Sequence, residues 1–244
     1  MAPATHRVGP VPTATATAHI DAPRVGAAVA ALDRAGRGRA GRRVDVPAAA
    51  AGEAAEQAAP GRESAQEHRS EQGRPVCVVD ATEAPARRAA ARYADVALVR
   101  AASSAQAGAV RGQLRADAAE SGRAGRRPAG AGQPACGPGR RRAGGQRGHG
   151  GGGPRPTARG PLYRGGPADP AELIAAWHQD GAADGFRLVP TEPRRDLERL
   201  VNATVALLQH RGLFRTFCAG STLREHLGLA RPAGRCAVTG GAAS

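Results

Sequence analysis

Apolar positions recur along the chain in two periods, one helical and one strand-like, and the places where they fail are as informative as the places where they hold. Between Gly160 and Leu229, Leu173, Ile174 and Trp177 share one helical face, and Gly181 is placed to stop that helix. Asp169, Pro170 and Glu172 predict its start, as cap, first-turn proline and capping-box glutamate. Gly185–Val189 reads as a short strand ended by Pro190. A second helix follows, with Leu197, Leu200, Val201, Val205 and Leu208 as its apolar stripe. Upstream, Val76–Val79 is a continuous apolar run of the buried parallel-strand kind. Thr82 is placed to cap a helix containing Arg87–Tyr93, Val96–Val99 forms the next strand, and Ala105–Glu120 suits a helix with Ala109, Val110, Leu114 and Ala118 inward. Near the N-terminus, Val8–Val11 reads as a first strand beside two prolines. Asp21 then caps a helix in which Val25, Val29 and Leu32 align and which ends near Gly36. Strand and helix alternate, so the fold class is α/β with right-handed parallel crossovers.

Two segments break the pattern. Arg37–Gly38–Arg39–Ala40–Gly41–Arg42–Arg43 stands where a hydrophobic strand is due, and no strand is expected from it. Residues 37–72 read as a disordered linker, with a solvated helix around Ala48–Ala59. Residues 123–159 read as a disordered Gly/Arg-rich segment. Gly148–Gly153 matches G-x-G-x-x-G by its letters, but no strand precedes it and no helix follows, so glycine richness alone accounts for it. The expected organisation is a strand-helix fragment at 1–36, that linker, a βαβα fragment at 73–122 and the Gly/Arg segment. A helix-strand-helix fragment with its tail at 160–229 follows, and then a disordered tail at 230–244. The abrupt alternation of periodic and aperiodic text reads as internal loss or out-of-frame stretches.

Composition narrows the function classes. Much of the 41% apolar content is alanine, and aromatics are 2% of 244 residues, so the core buries little area per residue. All 35 basic residues are arginine against 21 acidic ones, a net charge of +14. Ser121–Gly160 alone holds nine arginines and no carboxylate. A nucleic-acid surface is one reading of that run, but the lack of aromatic stacking platforms ranks it below a solvated segment. Cys77, Cys136, Cys218 and Cys236 have neither zinc-ligand nor redox spacing, which fits a reducing cytoplasm. No apolar run reaches the ~20 residues a membrane helix needs. His178 and His210 fall on helices where an exposed histidine is the default, His226 lies in the tail, and no catalytic constellation assembles from the remaining side chains.

Several words of the chain resemble one family. Trp177–Phe186, Arg211–Thr216 and Leu223–Leu229, preceded in the right order by Ala31–Gly36, Gly73–Val76 and Ala91–Val96, are similar to bacterial luciferase-like flavin-dependent monooxygenases. The branch is that of nitrilotriacetate and dibenzothiophene-sulfone monooxygenases. The resemblance implies a TIM (β/α)8 barrel, here incomplete, that binds reduced FMN and uses O2 on a small organic substrate, with a flavin reductase as partner. Some relatives use the deazaflavin F420 instead. It further implies that Ala81, Thr82 and Glu83, in the turn after Val79, face the flavin phosphate, although Asp80 and Glu83 add negative charge there and capping alone explains Thr82. A catalytically inactive remnant or interaction module is the alternative, and an arginine-rich nucleic-acid binder the further one.

Overall fold

The computed structural model describes residues 8–15, 22–46, 70–122, 129–132, 135–136, 162–163, 166–218 and 220–232. The chain divides into two compact units, Met1–Asp95 with Cys218–Ser244, and Val96–Phe217. The first unit is therefore closed by residues from both ends of the sequence.

In the first unit, β1 (Thr13–Thr15), β2 (Gly41–Asp45) and β3 (Val76–Asp80) lie parallel in that order, with Thr13 opposite Arg43 and Gly41 opposite Val76. Helix α1 (Ala22–Ala35) leads into β2, and α2 (Ala84–Tyr93) follows β3 and packs Ala86, Ala89, Ala90 and Ala91 inward. Two expectations are corrected here. The first strand is Thr13–Thr15, because the carbonyls of Pro10 and Pro12 accept from Gly41 and Arg43 while the prolines have no amide to give. The arginine-rich stretch does make a strand. Backbone pairing on both sides supplies β2, and its buried arginine has a long aliphatic stem that packs while the head finds partners.

The second unit contains a parallel run of β4 (Val96–Val99), β5 (Ala129–Gly132) and β8 (Gly185–Phe186), and a separate pair of β6 (Ala135–Cys136) with β7 (Leu162–Tyr163). Strands β5 and β6 fall inside the segment 123–159, from which the sequence predicts no strand. Alanine and glycine there carry no apolar signal, yet their backbones still pair. The Gly148–Gly153 motif and most of the arginine run lie outside the described residues.

Helix α3 (Ser104–Glu120) buries Ala107, Leu114 and Ala118 and leaves Ala109 exposed. Ser103 caps it by accepting from the Gln106 amide. Helix α4 (Ala168–Gln179) begins one residue before Asp169, so Asp169 is not its cap. Its carboxylate instead accepts from the Gly166 amide at 2.6 Å, and Glu172 pairs with Arg211. Gly181 closes α4 with φ of +63°, a conformation that costs glycine little. Trp177 is buried, its ring centroid 5.8 Å from that of Phe186.

The last long helix has three parts, α5 (Pro193–Arg199), a π-helical stretch (Leu200–Val205) and α6 (Ala206–His210). Its buried row is Asp196, Thr204 and Leu208, with Leu200 half-buried, while Leu197 and Val201 point outward at 50% and 60% exposure. The expected stripe is thus displaced by one position. Residues four apart drift one way in an α-helix and the opposite way in the wider π turn, so the α and π parts together keep that row on one face. No described helix is long and apolar enough to cross a membrane.

Candidate functional site

Parallel strands place their C-terminal ends on one rim, where barrel enzymes carry their chemistry, and their N-terminal ends on the opposite face, where conserved contacts serve stability. The first unit has a polar cluster at each end of its sheet.

At the C-terminal rim, Arg43 near the end of β2 donates through Nε to Asp45 (2.8 Å) and through a terminal nitrogen to Asp80 (3.1 Å) at the end of β3. Asp80 turns its other oxygen back on its own loop, accepting from the Thr82 hydroxyl (2.7 Å) and the Thr82 amide (3.2 Å). Arg87 donates to the carbonyls of Ala81 (3.3 Å) and Thr82 (2.8 Å) from behind the turn. Helix α2 starts at Glu83 as N-cap with no side-chain cap bond, so Thr82 does not cap it; Asp80 outcompetes the helix for that hydroxyl. Ala81 is fully buried, Thr82 half-buried and Glu83 exposed.

This turn does not fit a phosphate dianion as it stands. The amide and hydroxyl of Thr82 already serve a carboxylate, Pro85 removes one amide from the first helical turn, and Asp45, Asp80 and Glu83 outnumber Arg43 and Arg87. Among the described residues no group of three or more His, Cys, Asp or Glu could hold a metal ion. His178 and His210 are exposed, as expected of helix-surface histidines, and His226 is half-buried.

The second cluster, at the N-terminal end of the sheet, escaped sequence reasoning. Arg224, 2% exposed, donates to both oxygens of Asp95, 3% exposed, at 2.8 and 3.2 Å. Arg74 adds a bond of 3.0 Å to the same carboxylate, and the Cys77 amide another at 3.0 Å. Burial alone would raise the Asp95 carboxyl. The Arg224 hydrogen bond, the charges of Arg74 and Arg224 and the Cys77 amide outweigh it and hold the group below its ordinary value. Burial pushes the neighbouring Cys77 thiol up, with Arg42 and Arg74 opposing and Asp95 reinforcing the shift.

Gln72 extends the network. Its carbonyl accepts from the Arg224 amide (3.2 Å), and its amide donates to Asp33 (2.7 Å) and to the Ala40 carbonyl (2.7 Å). Asp33, fully buried, also accepts from the Ala40 amide (2.9 Å) and the Ser70 hydroxyl (2.5 Å). The terminal helix α7 (Leu223–His226) is fixed by a capping box in which Thr222 and Glu225 exchange bonds. The amides of Thr222 and Ser221 draw the exposed Glu225 carboxyl down to about 2. The spacing Thr222-x-x-Glu225 was the available signal for this element. Asp33, Arg74, Asp95 and Arg224 each lie in one of the family-like words, and here those words meet.

No family model matches the chain. Over 66 residues, 27% of this chain, it is 47% identical to nitrilotriacetate monooxygenase component A of Aminobacter aminovorans. That alignment spans 15% of the relative's length. In fold it matches EDTA monooxygenase from Chelativorans sp. BNC1 with a TM-score of 0.73 at 18% identity, covering 94% of this chain and 82% of that one. The chain is similar to luciferase-like monooxygenases, in fold over most of its length and in sequence over a short stretch. Riboflavin lyase, solved with modified FMN and riboflavin, is similar at a TM-score of 0.73 and 15% identity, over 94% of this chain and 76% of its own. The fold is that of the luciferase-like α/β barrel in incomplete form, as the resemblance implies; the strand and helix order predicts only its α/β class. Likeness of fold extends over nearly the whole chain, and the local sequence match over about a quarter.

Proposed function

We propose that this protein is a flavin-dependent oxidoreductase of the luciferase-like monooxygenase type. It would act on a small organic molecule in the cytoplasm, with a separate flavin reductase supplying reduced FMN. The observation that carries the reading is the 47% identity to a monooxygenase component over 66 residues, on a chain whose fold follows another monooxygenase over 94% of its length. The cofactor, when bound, supplies the oxygen chemistry, and the protein's part is binding, orientation and exclusion of water. In this reading Ala81, Thr82 and Glu83 border the flavin through the backbone, and its phosphate is held elsewhere, because the donors of Thr82 are spent on Asp80.

A second reading, a catalytically inactive remnant, is favoured by the same turn and by the narrow span of the sequence match. Fluorescence titration of the purified chain with reduced FMN under argon, with F420 as a parallel arm, separates the two. Micromolar binding of reduced FMN supports the enzyme; binding of F420 alone moves the chain to hydride-transfer chemistry. Binding of neither leaves the remnant.

A further inference from the structure

The first unit is discontinuous: the chain leaves it after Asp95 and returns at Cys218. What returns is a short segment already ordered by its own bonds. Thr222 and Glu225 form the capping box, Gly228 adopts φ of +63°, the Leu229 amide donates to the Arg224 carbonyl (2.9 Å), and Arg224 donates to the Ala230 carbonyl (3.2 Å). A segment that folds locally in this way loses less conformational freedom on docking than an extended one.

Its seat is shaped to match. The Leu223 amide donates to the Gly38 carbonyl at 2.9 Å. A Cβ on Gly9 would lie 3.1 Å from the Leu223 side chain, one on Gly41 3.3 Å from it, one on Gly38 2.9 Å from the Thr222 methyl, and one on Gly73 3.1 Å from Pro232. Gly38 and Gly73 thus leave room for Thr222 and Pro232, and Gly9 and Gly41 border Leu223 while lying closest to the Arg39 and Val76 carbonyls. At the floor, the Asp95 carboxylate and the Gln72 amide carbonyl receive Arg224. Shape and charge select this short sequence, and the backbone bond sets its register.

We propose that the N-terminal end of the β1–β2–β3 sheet is a receptor for the segment Ser221–Pro232, which it holds as a separable, sequence-specific peptide ligand. The same segment supplied from another molecule takes the seat. Recognition rests on the guanidinium of Arg224 entering the buried Asp95 site, with the capping-box turn presenting it.

The test uses the full chain with a protease recognition sequence inserted after the exposed Cys218 and cut while the protein is folded. The C-terminal fragment is expected to stay with the body through gel filtration. A fluorescent peptide of residues 218–232 is expected to displace it, raising anisotropy. A peptide carrying Arg224→Met should bind at least about a hundredfold more weakly, since it leaves Asp95 buried without its cation. A Glu225→Gln peptide, which keeps the guanidinium but loosens the turn, should fall between the two. Loss of the fragment on gel filtration overturns the proposal. So does equal competition by the Arg224→Met peptide, or an uncut protein without a cooperative melt.

Discussion

Arg224 and Asp95 stand 129 positions apart in sequence and 2.8 Å apart in space, each side chain 2% exposed. Burial of two charges costs several kcal/mol per ion, so such a pair persists only where geometry and further hydrogen bonds repay it. Here the repayment is visible: Asp95 takes bonds from both terminal nitrogens of Arg224, from Arg74 and from the Cys77 amide. Through Gln72 the pair is joined to Asp33, so α1, the approach to β3 and the terminal helix share one set of bonds.

Acid should loosen this face. The folded Asp95 holds its proton less tightly than the unfolded chain, whose value is near 3.8, and Glu225 is drawn from 4.5 to about 2. Both groups therefore contribute stability that is complete above the ordinary carboxylate range and is lost as the pH falls through the folded values. Urea midpoints recorded from pH 6 down to pH 3 should decline, and Glu225→Gln should make the decline shallower. A midpoint unchanged over that range would contradict both assignments.

Gly38 should not tolerate a side chain. Its φ is +71°, and a Cβ would meet the Thr222 methyl at 2.9 Å. Gly38→Ala is expected to cost about 1–3 kcal/mol by denaturant unfolding. Gly112→Ala, at a helical position with nothing within 4 Å of the added carbon, should be neutral or slightly stabilising.

At the rim, Thr82 should contribute little to flavin affinity. Its hydroxyl and amide both serve Asp80. Thr82→Val is expected to change the Kd for reduced FMN by less than about threefold, under roughly 0.7 kcal/mol. A loss of tenfold or more would show that the hydroxyl leaves Asp80 for the cofactor.

If parts of the chain are out of frame, the gene itself carries the record. The other two frames across codons 37–72 and 123–157 should yield apolar, strand-like text of the family's kind. Charged or stop-ridden text in both frames would end that explanation.

Legibility in the sequence followed side-chain size. Val76–Val79, Val96–Val99 and the Leu173/Trp177 face were readable because large apolar groups recur at the right period. Strands β2 and β5 were not, since Gly41–Asp45 and Ala129–Gly132 are held by backbone pairing that leaves no apolar signature. The rim bond of Asp80 to Thr82 was missed because a hydroxyl before a helix has two acceptable uses, and the sequence does not say which one wins. Arg224 was the largest omission. A lone arginine in a terminal turn reads as solvated until Asp95, Gln72 and Arg74 are seen around it. The family-like words have a physical meaning of their own, a buried clamp at the N-terminal end of the sheet.

That claim is tested most directly by a double-mutant cycle on Arg224 and Asp95, with Arg224→Met, Asp95→Asn and the pair compared by urea unfolding. Each single change is predicted to cost about 3–5 kcal/mol, and the double change to cost less than their sum by at least about 2 kcal/mol. Single costs that add to within about 0.5 kcal/mol would mean the two side chains do not depend on each other, and the clamp would have to be abandoned.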